Sequence, residues 1–297
     1  MSGVLFSGRL GLAESRIPHV DRHGLLWLER GKLSVGNGTL HFSAAKSELL
    51  DAGQYDIPYQ SVSMILLGPG SMVSHDALRL LARHGTLLAA VGEGGVKFYT
   101  APPMGQGHSD IARAHAYLWA DEKARLEVAR RMYAFRFGRI LPHRDIAVLR
   151  GIEGGRMKKS YQILAEEHGV PWKGRRYDRR NPTATDIPNQ AINHAATFTE
   201  AAADIAVAAV GALPPLGFIH EDSSNAFTLD IADLYRAEFC LPLAFSVARK
   251  AIDNPGVLLE RAVRKEAARQ FKKQKIIHKM IGRIKELLHV DDRGGDS

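Results

Sequence analysis

Cysteine is almost missing from this chain: Cys240 is the only one in 297 residues. A disulfide framework is therefore impossible, and a zinc site built from thiolates is ruled out in practice, which fits a reducing compartment. Long apolar runs are missing as well. The most hydrophobic stretch, Ala201 to Ile219, is interrupted by Asp204, Pro214 and Pro215 and does not read as a membrane span. The N-terminus has no apolar segment followed by a cleavage site, so no signal peptide is expected. These absences predict a soluble, cytoplasmic protein with no membrane partner.

Hydrophobic residues make up 45% and charged residues 24%, the balance of a globular chain long enough for one large domain or two ordinary ones. The formal charge is +8, with a pI near 9.6. It is unevenly spread. Residues 1–100 carry 9 Lys/Arg against 8 Asp/Glu, leaving 31 against 24 for residues 101–297. A basic second half points to a polyanionic partner, nucleic acid ahead of a membrane surface.

The hydrophobic pattern divides in the same place. Leu25–Leu28, Lys32–Val35 and Thr39–Phe42 read as strands, the last two joined across Gly36-Asn37-Gly38 as a hairpin. Tyr59 to Leu67 is a further strand candidate, and Val73 to His84 has one short helical period. Thr86–Val91 and Val96–Thr100 flank a Gly-rich turn as a second hairpin. Residues 101–109, rich in Pro and Gly, read as a linker. Beyond it the period becomes helical over Asp110–Phe137, Asp145–Glu167, Asn189–Val210, Leu241–Ala251 and Leu258–Val290. The fold class is α+β: a small β-rich domain (1–100), the linker (101–109) and a larger, mostly helical domain (110–297).

Four stretches carry chemistry. In Gly217–Arg236 an apolar segment delivers His220, and a helical pattern follows with Phe227, Ile231 and Leu234 as its buried stripe. Asp230 and Asp233 lie about 60° apart along one edge of that stripe. Two carboxylates and an imidazole suit magnesium or manganese. The bland alternative is a core histidine beside dipole-favoured acids. Glu153 sits among Gly151, Gly154 and Gly155, each costing a helix about 1 kcal/mol; either the glycines admit a substrate or the helix kinks there. The run Lys173 to Pro182 is a basic loop with one aromatic, Arg175, Arg176 and Tyr177 being suited to phosphate and a stacked base, or simply solvated. Last, a basic helix carries ten cations from Arg261 and Arg264 to Lys285, against Glu260, Glu266 and Glu286. Its apolar positions Val263, Ala267, Ile277, Met280, Ile284 and Leu287 leave a cationic face outward.

Taken together, Leu67-Gly68-Pro69-Gly70, Val73-Ser74-His75, Gly85-Thr86-Leu87-Leu88 and Val91 to Val96 resemble the CRISPR-associated integrase of spacer acquisition, the Cas-one family in its subtype I-E form. So do Leu149 to Gly154, Gly174 to Asp178, Gly217 to His220, Asp230 to Asp233 and the Arg261/Arg264 pair. The likeness is collinear from about residue 20 to 290. It implies an asymmetric homodimer, assembled with a small companion subunit of the Cas-two family, and a DNA substrate with 3′ overhangs that is joined to CRISPR repeat DNA. The family's metal site falls on Glu153, His220 and Asp233, with Asp230 as a supporting carboxylate. Its DNA-contacting cations fall on Arg79, Lys97, Arg236, Arg261 and Arg264, and the aromatic of its motif-sensing pocket on Tyr177. Departures are Arg30 in place of a duplex-bracketing tyrosine, Met72 in place of a basic residue and Ser223 in place of a lysine.

The reaction so implied is attack by a fragment's 3′-hydroxyl on a repeat phosphodiester, assisted by Mg2+ or Mn2+. A nuclease of branched DNA in repair, and a non-catalytic nucleic-acid binding protein, are the other readings open to these residues. If the metal reading holds, replacing Glu153, His220 or Asp233 by Ala is expected to abolish strand cleavage and transfer at little cost in stability, since grouped carboxylates repel. Loss of Asp230 is then expected to impair activity less, if it only supports Asp233.

Overall fold

A computed structural model describes residues 24–46, 50–99, 109–176 and 185–289. Its N-terminal part builds two small sheets. In the first, β1 (Leu25–Leu28), β5 (Met64–Leu67) and β7 (Leu87–Ala90) lie parallel in the order β1-β5-β7. In the second, β2 (Gly31–Gly36), β3 (Thr39–Ala44), β4 (Gly53–Asp56) and the short β6 (Met72–Val73) take the order β4-β3-β2-β6. The β2–β3 hairpin turns at Asn37 and Gly38, both at positive φ (52° and 78°), as a two-residue turn of this hand requires.

The parallel sheet is apolar on both faces because it separates two cores. Met64 and Leu66 of β5 face the large core with Leu25, Trp27, Leu87 and Ala89. Their neighbours Ile65 and Leu67 face a smaller core with Leu28, Leu33, Leu40 and Phe42, which α1 (His75–His84) helps to close. Strand alternation thus joins the β-rich part to the helical part, and the core does not divide at the expected linker. That linker lies outside the described residues apart from Ser109, which opens α2.

The helical body is α2 (Ser109–Ala120), α3 (Glu122–Phe137), α4 (Ile146–Glu167), α5 (Ile187–Val210), α6 (Ala226–Leu234), α7 (Leu241–Asp253), α8 (Leu259–Gln274) and α9 (Ile276–Leu287). Two single helices expected from periodicity are broken. Asp121 caps α3, its carboxylate accepting from the Ala124 N–H at 2.7 Å, and so splits Asp110–Phe137. Lys275 takes a left-handed conformation (φ 52°) and splits the basic helix, although all six apolar positions assigned to it are buried. The strand expected from Tyr59 is confined to Met64–Leu67, and the second hairpin shrinks to one bridge between Val91 and Phe98. Helix α5 is the axis. It is Ala-rich and buried along most of its length, so α6, α7, α8 and α9 all pack closely on it.

Candidate active site

Three segments far apart in sequence meet at one cleft of about 630 Å3, whose walls include Tyr133, Arg136, Arg150, Glu153, His220 and Asp233. Helix α4 supplies Glu153. It begins at Asp145, whose carboxylate accepts from the Ala147 N–H at 2.8 Å, and runs without interruption through its glycines. A β-carbon on Gly151, Gly154 or Gly155 would meet no heavy atom within 4 Å. Packing therefore does not demand glycine there, and the helix is not broken at these positions. What the glycines leave is bare helix surface beside Glu153.

Helix α6 supplies Asp230 and Asp233, and their environments are opposite. Asp230 is 1% exposed. Its Oδ2 accepts from the N–H groups of Phe218 (2.6 Å) and Ile219 (3.1 Å), and its Oδ1 from the N–H of His220 (3.0 Å). The same Oδ1 lies 2.7 Å from His220 Nδ1. Both oxygens are thus spent on the loop before α6, so Asp230 is a buried anchor rather than an acid on the rim of a stripe. Held in this way, the imidazole carries its proton on Nδ1 and leaves Nε2 facing Asp233 Oδ2, 3.9 Å away. The hydrogen bond with Asp230 is the largest of the influences that raise the His220 pKa above 6.5.

The loop is pinned from its far side too. Trp119 Nε1–H donates to the Gly217 carbonyl (3.0 Å), and Arg150 donates to the Ile219 carbonyl (3.3 Å). Gly217 has no room for a side chain: a β-carbon there would sit 2.1 Å from the His220 carbonyl oxygen. His115, fully buried, donates from Nε2 to the Leu216 carbonyl (2.8 Å) and accepts from the Leu213 N–H at Nδ1 (3.2 Å). Burial pushes its pKa down from 6.5 to about 4. An imidazole that resists protonation only when folded leaves stability intact above pH 6.5 and removes it as pH falls toward 4. Wild-type protein is expected to lose about 3 kcal/mol across that interval from this residue, converted at 1.36 kcal/mol per pKa unit. Urea midpoints measured at pH 7 and pH 5 check this, since His115→Gln should show a smaller drop between the two.

Arg136 is the residue that sequence reasoning missed. On α3 it is one of several arginines, and nothing in its spacing separates it from Arg125, Arg130 or Arg131. Its side chain, 8% exposed, lies against Glu153 Oε1 and is 3.6 Å from Asp233 Oδ2. Among the described residues, no group of three or more His, Cys, Asp or Glu side chains is drawn together tightly enough to hold a metal ion as it stands. The expected convergence on one point is therefore incomplete, and a guanidinium stands between the two carboxylates. The donor set itself, two carboxylates and an imidazole with its other nitrogen tied down, suits a hard or borderline divalent cation.

The candidate DNA contacts fall into two groups. Arg79, Lys97, Arg176 and Arg261 are exposed, Arg79 pairing loosely with Asp76 at 3.1 Å. Arg175, Arg236 and Arg264 are partly buried and already engaged. Arg175 donates to Asn189 (3.0 Å) and Asn193 (2.6 Å) on α5, which fastens the start of the basic loop rather than leaving it solvated. Arg236, in the π-helical turn between α6 and α7, donates to Asp233 Oδ1 and the Tyr161 hydroxyl, both at 3.2 Å. Arg264 reaches Glu93 at 3.3 Å and so ties α8 to the β-rich part. Tyr177 lies outside the described residues. Among those residues no helix is long and apolar enough to cross a membrane.

Comparison with known proteins assigns this architecture to a class. A family profile described as CRISPR associated protein Cas1 matches residues 137–273, the span that holds Glu153, His220, Asp230 and Asp233. CRISPR-associated endonuclease Cas1 of Geobacter sulfurreducens is 37% identical over 92% of this chain and 86% of its own length. That of Escherichia coli K12 is 38% identical over 92% and 87%. The crystal structure of the TtCas1-DNA complex superimposes with a TM-score of 0.81 at 32% identity, over 93% of this chain and 98% of that one. The chain belongs to the Cas1 family. A casposase bound to integration product shares the fold alone, with a TM-score of 0.66 at 15% identity.

Proposed function

We propose that this protein is a metal-dependent DNA integrase and endonuclease of the subtype I-E kind, which inserts short foreign DNA fragments into a CRISPR array. The observation that carries this reading is the shared cleft of Glu153, His220 and Asp233, in a chain of the Cas1 family whose second half is basic. The endonuclease names of the relatives and the DNA bound in the TtCas1 complex support it further.

Glu153, Asp233 and the Nε2 of His220 would hold Mg2+ or Mn2+, which supplies charge stabilisation at the scissile phosphate and at the attacking or leaving oxygen. The chain's own residues set the stage for this. Asp230 holds the loop and the imidazole in place, and Arg236 fixes one oxygen of Asp233. The bare surface at Gly151, Gly154 and Gly155 lets a DNA strand come close to Glu153. Arg79, Lys97, Arg176 and Arg261 offer exposed charge for phosphates; Arg175, Arg236, Arg264 and Tyr177 complete the proposed DNA-binding set, in which contacts are mostly to the backbone. The working form is a cytoplasmic homodimer joined to the Cas-two companion subunit, with 3′-overhang duplex and CRISPR repeat DNA as substrates.

A strand-transfer assay tests this reading. Fragments with free 3′-hydroxyls, mixed with a supercoiled plasmid carrying the repeat array, should become covalently joined at the repeat boundary. Joining should require Mg2+ or Mn2+ and the companion subunit. Cleavage of branched DNA with no joined product under any of these conditions would favour a repair nuclease instead.

A further inference from the structure

Asp233 divides its two oxygens. Oδ1 is held by Arg236 at 3.2 Å, whereas Oδ2 faces both Arg136 at 3.6 Å and His220 Nε2 at 3.9 Å. Oδ2 is thus the oxygen left for a cation, and the cation now beside it is the Arg136 guanidinium, which also touches Glu153 Oε1. Glu153 and Asp233 are only 14% and 23% exposed in their side chains, so water screens them weakly and an uncompensated pair would repel.

We propose that Arg136 is the resident counter-ion of this acid pair, standing in the cation's place between Glu153 and Asp233 until a divalent ion displaces it. The proposal rests on the metal-site reading above and adds the residue that guards the site. Arginine cannot shed its charge to make room, so it has to move. The structure gives it somewhere to go. Arg136, Glu153 and Asp233 also line a second cleft of about 400 Å3, whose other walls include Phe135, Met157 and Ser160. The trio lines both clefts, so the guanidinium has open volume on the second side to move into when the acids take up a divalent ion. The consequence is a metal affinity held down by the work of displacing Arg136.

The test is Mn2+ binding to the full-length protein without DNA, read from the free-ion signal in electron paramagnetic resonance. Arg136→Gln should bind Mn2+ about tenfold more tightly or better, since the competing charge is gone. Arg136→Lys, whose single ammonium spans the two carboxylates less well, should lie between it and wild type. Without metal, Arg136→Gln should melt at a lower temperature than wild type and gain more from added Mn2+. Equal or weaker Mn2+ binding by Arg136→Gln overturns the counter-ion role and leaves the metal site standing. If that variant does not fold, Arg136→Lys decides, and unchanged affinity overturns the proposal in the same way. If neither wild type nor variant binds Mn2+ at millimolar concentration, the metal-site reading falls, and this proposal falls with it.

Discussion

Alanine at Asp233 or Glu153 is expected to reduce strand cleavage and transfer by roughly a thousandfold or more while duplex binding persists. Each substitution removes one of two carboxylates in a three-residue donor set, and the exposed cations Arg79, Lys97, Arg176 and Arg261 are untouched. Sequence reasoning expected little cost in stability, because grouped carboxylates repel. The presence of Arg136 reverses that sign. Removing either acid leaves a guanidinium that is 8% exposed with one partner fewer, at a cost of about 1–3 kcal/mol. The checks are single-turnover strand transfer in Mn2+, a filter-binding isotherm and a urea midpoint on the same preparations. Activity within tenfold of wild type in a folded variant would remove both residues from the site.

Asp230→Ala is expected to be the most damaging substitution for folding, at about 3–5 kcal/mol. Its carboxylate answers the N–H groups of Phe218, Ile219 and His220 and the His220 ring, and none of these gains another partner when it is cut away. The loop would lose its shape, and His220 the bond that sets its tautomer. The milder loss expected of a supporting carboxylate concerns activity; burial of Asp230 beneath the loop adds a cost in folding that the sequence does not show. In urea titrations Asp230→Ala should unfold at a markedly lower midpoint than Asp233→Ala. A midpoint equal to wild type would show that the loop is held by Trp119, Arg150 and His115 alone.

Much of the fold is legible from neighbours in sequence. The Asn37-Gly38 turn and the apolar positions of the basic helix are local patterns, and each holds in the structure. Asp121 and Lys275 were harder to read. A helical stripe continues across them, and the break is made by a cap and by a single left-handed residue. Arg175 and Arg264 looked like free surface charge because their partners, Asn189, Asn193 and Glu93, lie in other elements.

By itself the sequence determined the division into a β-rich first part and a helical second part, the basic charge of the second half and the residue types fit for a divalent cation. Those features depend on composition and on spacings of a few residues, which backbone geometry converts directly into turns, faces and stripes. Only the tertiary structure decided which acids share a cleft, which one is a buried anchor and which cation stands among them. Asp230 and Asp233 are three positions apart on one helix, yet one answers a buried loop and the other an open cleft. Arg136, from α3, reaches both Glu153 on α4 and Asp233 on α6. Desolvation and counter-charge set what a carboxylate does, and both are supplied by elements that the local sequence does not contain.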